Sequence, residues 1–246
     1  YIPKALVPIG GMPIVLHVMK IYAYYGFTRF ILCLGYKGDL IKQYFINYEL
    51  MSADFKMRFG PRMKIARSPS GLSGWEITFA ETGLETQTGG RVKRIEKHVK
   101  SENFFVTYCD GLADISLQRL LKHHLRMSKV GTLTAVHPMS SFGIVEEKNG
   151  IALSFKEKPV LPGLVNGGFF VFSKRFFDYL ENDSVLEEEP LRRLVSERQL
   201  AVYRHEGFWA CMDTFKDFER LNKLWNTGYV PHAGVQLSKA PWKVWK

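Results

Sequence analysis

Asp110 is the residue whose setting carries the clearest chemical meaning. It stands in the run Phe-Phe-Val-Thr-Tyr-Cys-Asp-Gly-Leu-Ala-Asp at 104–114, where an apolar stretch stops at an acid followed by glycine. This pattern reads as a buried strand that delivers a carboxylate to its C-terminal edge. In open α/β sheets ligands bind in the crevice outside the carboxyl ends of the strands, so an acid there is placed to hold a metal ion on a phosphorylated substrate. An isolated Asp-Gly is more simply a turn, and only partners elsewhere change that reading. One such partner is Asp213, in Trp-Ala-Cys-Met-Asp-Thr at 209–214, another acid closing an apolar stretch. Asp213 also suits the N-cap of a following helix, and both roles are compatible.

The elements that must position these acids alternate between strand-like and helix-like patterns, which predicts βαβ units and a mainly parallel sheet. Ile14, Val18, Ile21 and Tyr25 recur at helical spacing before Gly26, predicting a helix over 13–25. A buried strand is predicted over 29–35 and a helix over 39–48 with Asp39 as N-cap. The prolines, glycines and serines between 51 and 74 predict an irregular excursion. Strands follow at 75–80, 104–108, 131–137, 167–172 and 200–204, with a hairpin at 142–156 turning at Asn149-Gly150. Helices are predicted over 92–98, opened by a glycine turn, and over 117–127, 175–180, 190–197 and 215–225. The stretch 226–246 reads as a loop-like tail serving packing or a subunit contact. The whole of 1–246 is expected to form a single α/β domain.

With 246 residues, 46% of them hydrophobic, the chain can bury a large core. Cys33, Cys109 and Cys211 are too few and scattered for a disulfide framework or a zinc site, which points to a reducing, cytoplasmic compartment. Cys109 reads as a buried structural thiol. His123, His124 and His137 lack metal-ligand companions at suitable spacing. No apolar stretch approaches the roughly 20 residues that cross a bilayer, and the first residues lack an export-signal pattern. A soluble protein without membrane contact is expected. The net charge of +10 admits nucleic acid, but the basic residues are dispersed, with only small clusters such as 91–94. A cavity for phosphorylated ligands calls for positive charge as well. Glu187 to Glu189 before Pro190 reads as the acidic first turn of a helix.

Other segments join the acids: Pro-Lys-Ala-Leu-Val-Pro-Ile-Gly-Gly-Met-Pro at 3–13, Thr-Gly-Gly-Arg at 88–91, Phe-Lys-Glu-Lys-Pro at 155–159, Asn-Gly-Gly-Phe at 166–169 and Ala-Pro-Trp-Lys-Val-Trp at 240–245. In this order the chain resembles the sugar nucleotidyltransferases over essentially its whole length. Within that superfamily it is similar to the cytidylyltransferases that act on glucose 1-phosphate. Each motif alone is weak, while their order and spacing together are strong.

The resemblance implies a Rossmann-like nucleotidyltransferase fold, a mixed and mainly parallel sheet flanked by helices, with a small hairpin and C-terminal elaborations. It implies CTP and α-D-glucose 1-phosphate as substrates, and CDP-glucose and pyrophosphate as products. Asp110 and Asp213 would together ligate one Mg²⁺ on the nucleotide phosphates. Lys4 matches the lysine that meets the triphosphate, Lys158 would hold the sugar phosphate, and Glu157 would accept hydrogen bonds from sugar hydroxyls. Asn166 and the Gly167-Gly168 backbone would frame the sugar, the missing side chains permitting close approach. Arg91 would touch phosphate or nucleotide from a glycine turn feeding a helix N-terminus. A homo-oligomer is expected. The family's first strand and Gly-rich loop, which cradles the triphosphate, belong before Pro3, so a longer chain beginning earlier is expected. Rival readings are a UTP- or dTTP-using relative, a catalytically inactive nucleotide-sugar-binding subunit and, third, a nucleic-acid-binding protein.

Overall fold

Two parallel strands, β1 (Arg29–Leu34) and β2 (Glu76–Glu81), pair in register from Arg29 opposite Glu76 to Leu34 opposite Glu81, so both end at one edge. The computed structural model describes residues 2–245 except 53, 55, 59–63, 67–70, 141 and 231–233. A second sheet runs in the order β9 (Leu200–His205), β5 (Gly131–Val136), β8 (Val165–Ser173), β3 (Asn103–Thr107). β9 lies parallel to β5, while β8 runs antiparallel to both its neighbours. A short pair, β4 (Gly111–Ala113) with β10 (Trp209–Cys211), is antiparallel. The architecture is therefore the expected mixed α/β sheet, with β8 reversed.

β1 and β3 face each other across a cavity of about 1250 Å³ lined by both strands. Two helices bound the same cavity, α1 (Ile14–Tyr24) through Val15, Val18, Met19 and Tyr22, and α3 (Thr88–Arg94) through Arg91 and Val92. Among the described residues no strand bridges the two sheets. Packing joins them instead. Val15 and Met19 of α1 cover Phe30 and Leu32, while Val18 and Ile21 join Leu112 and Phe169. On the other side Ala80, Val92 and Ile95 pack with Phe170 and Phe172.

The hairpin β6 (Ile144–Lys148) and β7 (Ile151–Lys156) turns at Asn149 and Gly150, both with positive φ, as the Asn-Gly pair predicts. Other local expectations are corrected. The helix of 39–48 forms as α2 (Gly38–Ile46), with left-handed Lys37 at the N-cap and Asp39 inside the first turn. The segment at 175–180 is a 3-10 helix, Lys174–Tyr179. α3 starts at Thr88, so Gly89 and Gly90 lie within the helix and do not form a turn before it. A Cβ at Gly90 would stand 2.2 Å from the Asn182 carbonyl oxygen, so close packing of the 182–186 segment calls for glycine there. Much of the 51–74 excursion lies outside the described residues.

The tail after α6 (Phe215–Thr227) returns to the core. Trp242 is fully buried, stacks on Phe208 and donates from its indole nitrogen to His17 Nδ1 at 3.2 Å. His17 Nε2 in turn donates to the Ile9 carbonyl at 2.8 Å. No helix among the described residues is long and apolar enough to cross a membrane.

Candidate active site

Asp110 sits in the short connection between β3 and β4. The pairing of Gly111 with Cys211 brings the start of β4 to the end of β10. The Met212 amide then donates to the Asp110 carbonyl at 3.1 Å, which sets Asp110 and Asp213 side by side although about a hundred residues separate them. Asp213 does not cap the following helix. Thr214 is the N-cap of α6, in a reciprocal capping box with Asp217, and this leaves the Asp213 carboxylate for other partners.

That partner is Lys4. Its ammonium lies 2.6 Å from Asp110 Oδ2 and 2.6 Å from Asp213 Oδ1. Lys4 opens a 3-10 turn, Lys4–Leu6, and the chain beyond it is anchored to α6, where the Gly10 amide donates to Asn222 Oδ1 at 2.9 Å. The anchor explains how a residue at the start of the chain meets one near its end. Burial alone would lower the Lys4 ammonium, but its hydrogen bonds to Asp110 and Asp213 outweigh that and hold it well above the usual lysine range. Asp213 is held below the usual carboxylate range by Lys4 first and then by the Cys211 thiol, which donates at 3.1 Å. Burial and the Asp213 carboxylate push the Cys211 thiol up to about 12, so it remains a protonated donor.

The donor set suits magnesium. Both carboxylate oxygens already embrace one cation, so they stand no farther apart than twice 2.6 Å. Hard oxygen ligands from one or two acids, with phosphate oxygens and waters completing the shell, are what Mg²⁺ takes. No cluster of three or more His, Cys, Asp or Glu able to hold a metal is present among the described residues. The pair would thus hold the ion only together with ligand oxygens.

Arg91 stands at the ends of β1 and β2. Its guanidinium donates to the carbonyls of Leu34 (3.1 Å), Gly83 (2.9 Å) and Leu84 (3.2 Å) and to the Thr82 hydroxyl at 2.8 Å. The fork is therefore engaged with backbone oxygens. The sequence reading missed this, since carbonyl partners carry no signature of their own.

Glu157 and Lys158 follow β7, with Lys158 Nζ 3.4 Å from Glu157 Oε1 and both side chains more than half exposed. Lys158 adopts a positive φ of 47°. Asn166 lies in β8 at a bulge, its Oδ1 accepting from the Gly168 amide at 2.8 Å. The space at the two glycines belongs to the protein itself. A Cβ at Gly167 would stand 2.8 Å from Val136 Cγ1, and one at Gly168, where φ is +77°, 2.6 Å from the Tyr108 ring. Close approach there is thus made by Val136 and Tyr108. Trp209 fixes the bulge by donating from Nε1 to the Gly167 carbonyl at 2.8 Å.

Glu187 is not in a helix first turn, since that helix, α5 (Glu189–Ser196), begins two residues later. Its carboxylate instead accepts from the Thr88 hydroxyl at 2.8 Å and from the Tyr108 hydroxyl. His124 donates or accepts only within the fold, to Thr132 and Asn103, and His137 meets the Leu161 carbonyl.

The nucleotidyl transferase family profile matches residues 1–226. A protein described as "Probable glucose-1-phosphate cytidylyltransferase" from Bacillus subtilis (strain 168) is 42% identical over 248 aligned positions, covering 99% of this chain and 92% of that protein. The glucose-1-phosphate cytidylyltransferase of Salmonella typhimurium (strain LT2) is 40% identical with the same coverage. Among solved structures, HddC from Yersinia pseudotuberculosis complexed with GMP-PN superposes with a TM-score of 0.66 at 17% identity, covering 90% of this chain and 89% of that one. That likeness concerns the fold alone. By the family profile and by these relatives, the chain belongs to the nucleotidyl transferase family and, within it, to the glucose-1-phosphate cytidylyltransferases.

Proposed function

We propose that the protein transfers the cytidylyl group of CTP to α-D-glucose 1-phosphate, giving CDP-glucose and pyrophosphate. The observation that carries this reading is the Asp110–Lys4–Asp213 cluster, held at a strand edge in a chain of this family. A sugar phosphate is already ionised near neutral pH, so neither a general base nor a covalent intermediate is required. The protein's task is to align two anions and to neutralise charge as it develops on the α-phosphorus.

Asp110 and Asp213 would hold Mg²⁺, which when bound supplies Lewis-acid neutralisation of the nucleotide phosphates. Lys4 would leave the acids for the triphosphate as a compact point charge. Its position between them would make that exchange a short movement. Lys158 would hold the sugar phosphate, while Glu157, Asn166 and the Gly167 backbone would receive the sugar. Arg91 supports the substrate side by fixing segment 82–84 at the ends of β1 and β2.

Turnover with CTP, UTP and dTTP against glucose 1-phosphate tests the reading. Preference for CTP is expected, and preferred use of UTP or dTTP would overturn it. Binding without pyrophosphate release would favour a catalytically inactive subunit. The same reading includes a cytoplasmic setting, which the three free thiols suit, and a homo-oligomer. Exposed Val145, Ile151, Leu153 and Phe155 give the hairpin uncovered apolar surface that suits a second copy, and light scattering checks the assembly.

A further inference from the structure

A chain of hydrogen bonds runs from the start of α3 to the bulge in β8. The Leu186 amide donates to Thr88 Oγ1 at 2.9 Å, and the Thr88 hydroxyl donates to Glu187 Oε2 at 2.8 Å. Glu187 Oε1 accepts from the Tyr108 hydroxyl, and that hydroxyl oxygen accepts from Asn166 Nδ2 at 3.2 Å. The Gly168 amide closes the chain on Asn166 Oδ1.

The polarity of this chain is fixed at each link. A carboxylate only accepts, so Tyr108 must spend its single proton on Glu187 and can only accept from Asn166. Asn166 is thereby held with its amide nitrogen toward Tyr108 and its carbonyl toward Gly168. Without the tyrosine oxygen, the orientation would rest on the Gly168 contact alone.

We infer that Tyr108 and Glu187 are positioning residues that lock the Asn166 amide, with its second amide hydrogen presented as a donor to the hexose ring of the sugar phosphate. This inference rests on the assignment of Asn166 to the sugar. Neither residue touches the reacting phosphates in it, so its effect falls on sugar phosphate binding and leaves CTP binding alone. Tyr108 also fills the space over Gly168, and Tyr108→Phe keeps that packing while removing only the hydroxyl.

The test compares Tyr108→Phe, Glu187→Gln, Asn166→Ala and the double variant Tyr108→Phe/Asn166→Ala, with steady-state KM measured separately for glucose 1-phosphate and CTP. Each of the first two is expected to raise KM for glucose 1-phosphate about three- to tenfold, with KM for CTP and the thermal midpoint little changed. In the Asn166→Ala background, Tyr108→Phe is expected to add nothing, because the group it positions is gone. If Asn166→Ala raises KM for glucose 1-phosphate while Tyr108→Phe and Glu187→Gln do not, or if the double variant is additive, the positioning role is overturned and the sugar assignment stands. If Asn166→Ala leaves that KM unchanged, the sugar assignment falls and the positioning role falls with it. Should Tyr108→Phe fail to fold, Glu187→Gln, at an exposed position, gives the same comparison.

Discussion

Asp110 and Asp213 share one ammonium, that of Lys4, at 2.6 Å from each. Two carboxylates this close repel unless a cation stands between them, and here the chain supplies that cation itself. Asp110→Asn and Asp213→Asn are each expected to lower kcat/KM by about 100-fold or more. The Asp213 side chain is 61% exposed, so its replacement should move the thermal midpoint by no more than about 2 °C. Pyrophosphate release and a melting curve on the same samples check both halves. Wild-type turnover in either variant at ordinary magnesium would remove that acid from the metal.

Lys4→Met should separate metal binding from catalysis. Without the competing ammonium the acid pair is expected to bind Mn²⁺ more tightly when no nucleotide is present, as read by electron paramagnetic resonance. Turnover should nevertheless fall, because the triphosphate loses its point charge. Weaker Mn²⁺ binding in the variant would show that Lys4 does not compete for that place.

The same cluster sets the outer limits of pH stability. Lys4 is held above its ordinary 10.5, so the stability it contributes is fully present below about that pH and is lost as pH rises further. Asp213 is held below its ordinary 3.8, so its contribution is present above that value and is lost as acid protonates it. Melting temperature measured from pH 8 to 12 should fall less steeply in Lys4→Met than in the wild-type protein.

His17 governs the range between. Its Nδ1 accepts from Trp242, which requires a neutral ring, and burial lowers the imidazole from 6.5 to about 4. Between those values the unfolded chain binds the proton and the folded one does not, so stability rises with pH there. The loss on acidifying from 6.5 to 4 should be roughly 3 kcal/mol. Urea titrations of wild-type protein and His17→Asn across pH 4–7 check this. Equal slopes would free His17 of the role.

Arg91→Lys tests whether the guanidinium serves the fold or the nucleotide. A lysine cannot reproduce a planar fork reaching three carbonyls and a hydroxyl. A loss of about 2–3 kcal/mol is expected from oxygens left unpaired, with activity falling in step. A raised KM for CTP at unchanged stability would instead assign the residue to the nucleotide.

The strand delivering Asp110 was legible because an apolar run ending in Asp-Gly has a local cause, and the hairpin at Asn149-Gly150 was legible for the same reason. The family motifs brought Lys4 and Asp213 into view, but their meeting depends on Gly10 docking against Asn222 and on β10 pairing with β4. Those contacts span most of the chain and leave no periodic trace. Misread residues share one feature, which is that their partners are backbone groups or distant side chains. Gly89 and Gly90 read in the sequence as a turn and Gly167 and Gly168 as room for a ligand, whereas the first pair lies within a helix packed on Ser184 and Asn182 and the second is crowded by Val136 and Tyr108. Glu187 reads in the sequence as a helix-end charge, whereas its partners, Thr88 and Tyr108, lie 99 and 79 residues earlier in the chain.

Two sets of anchoring contacts divide the work of holding this site. Lys4, Asp110 and Asp213 stand together, tied by ion pairs and by the anchoring of residue 10 on α6, while Arg91 binds the tips of β1 and β2 into a separate unit. The acid pair and the tips of β1 and β2 are thus secured by separate sets of contacts, so a substitution that loosens one set leaves the other in place.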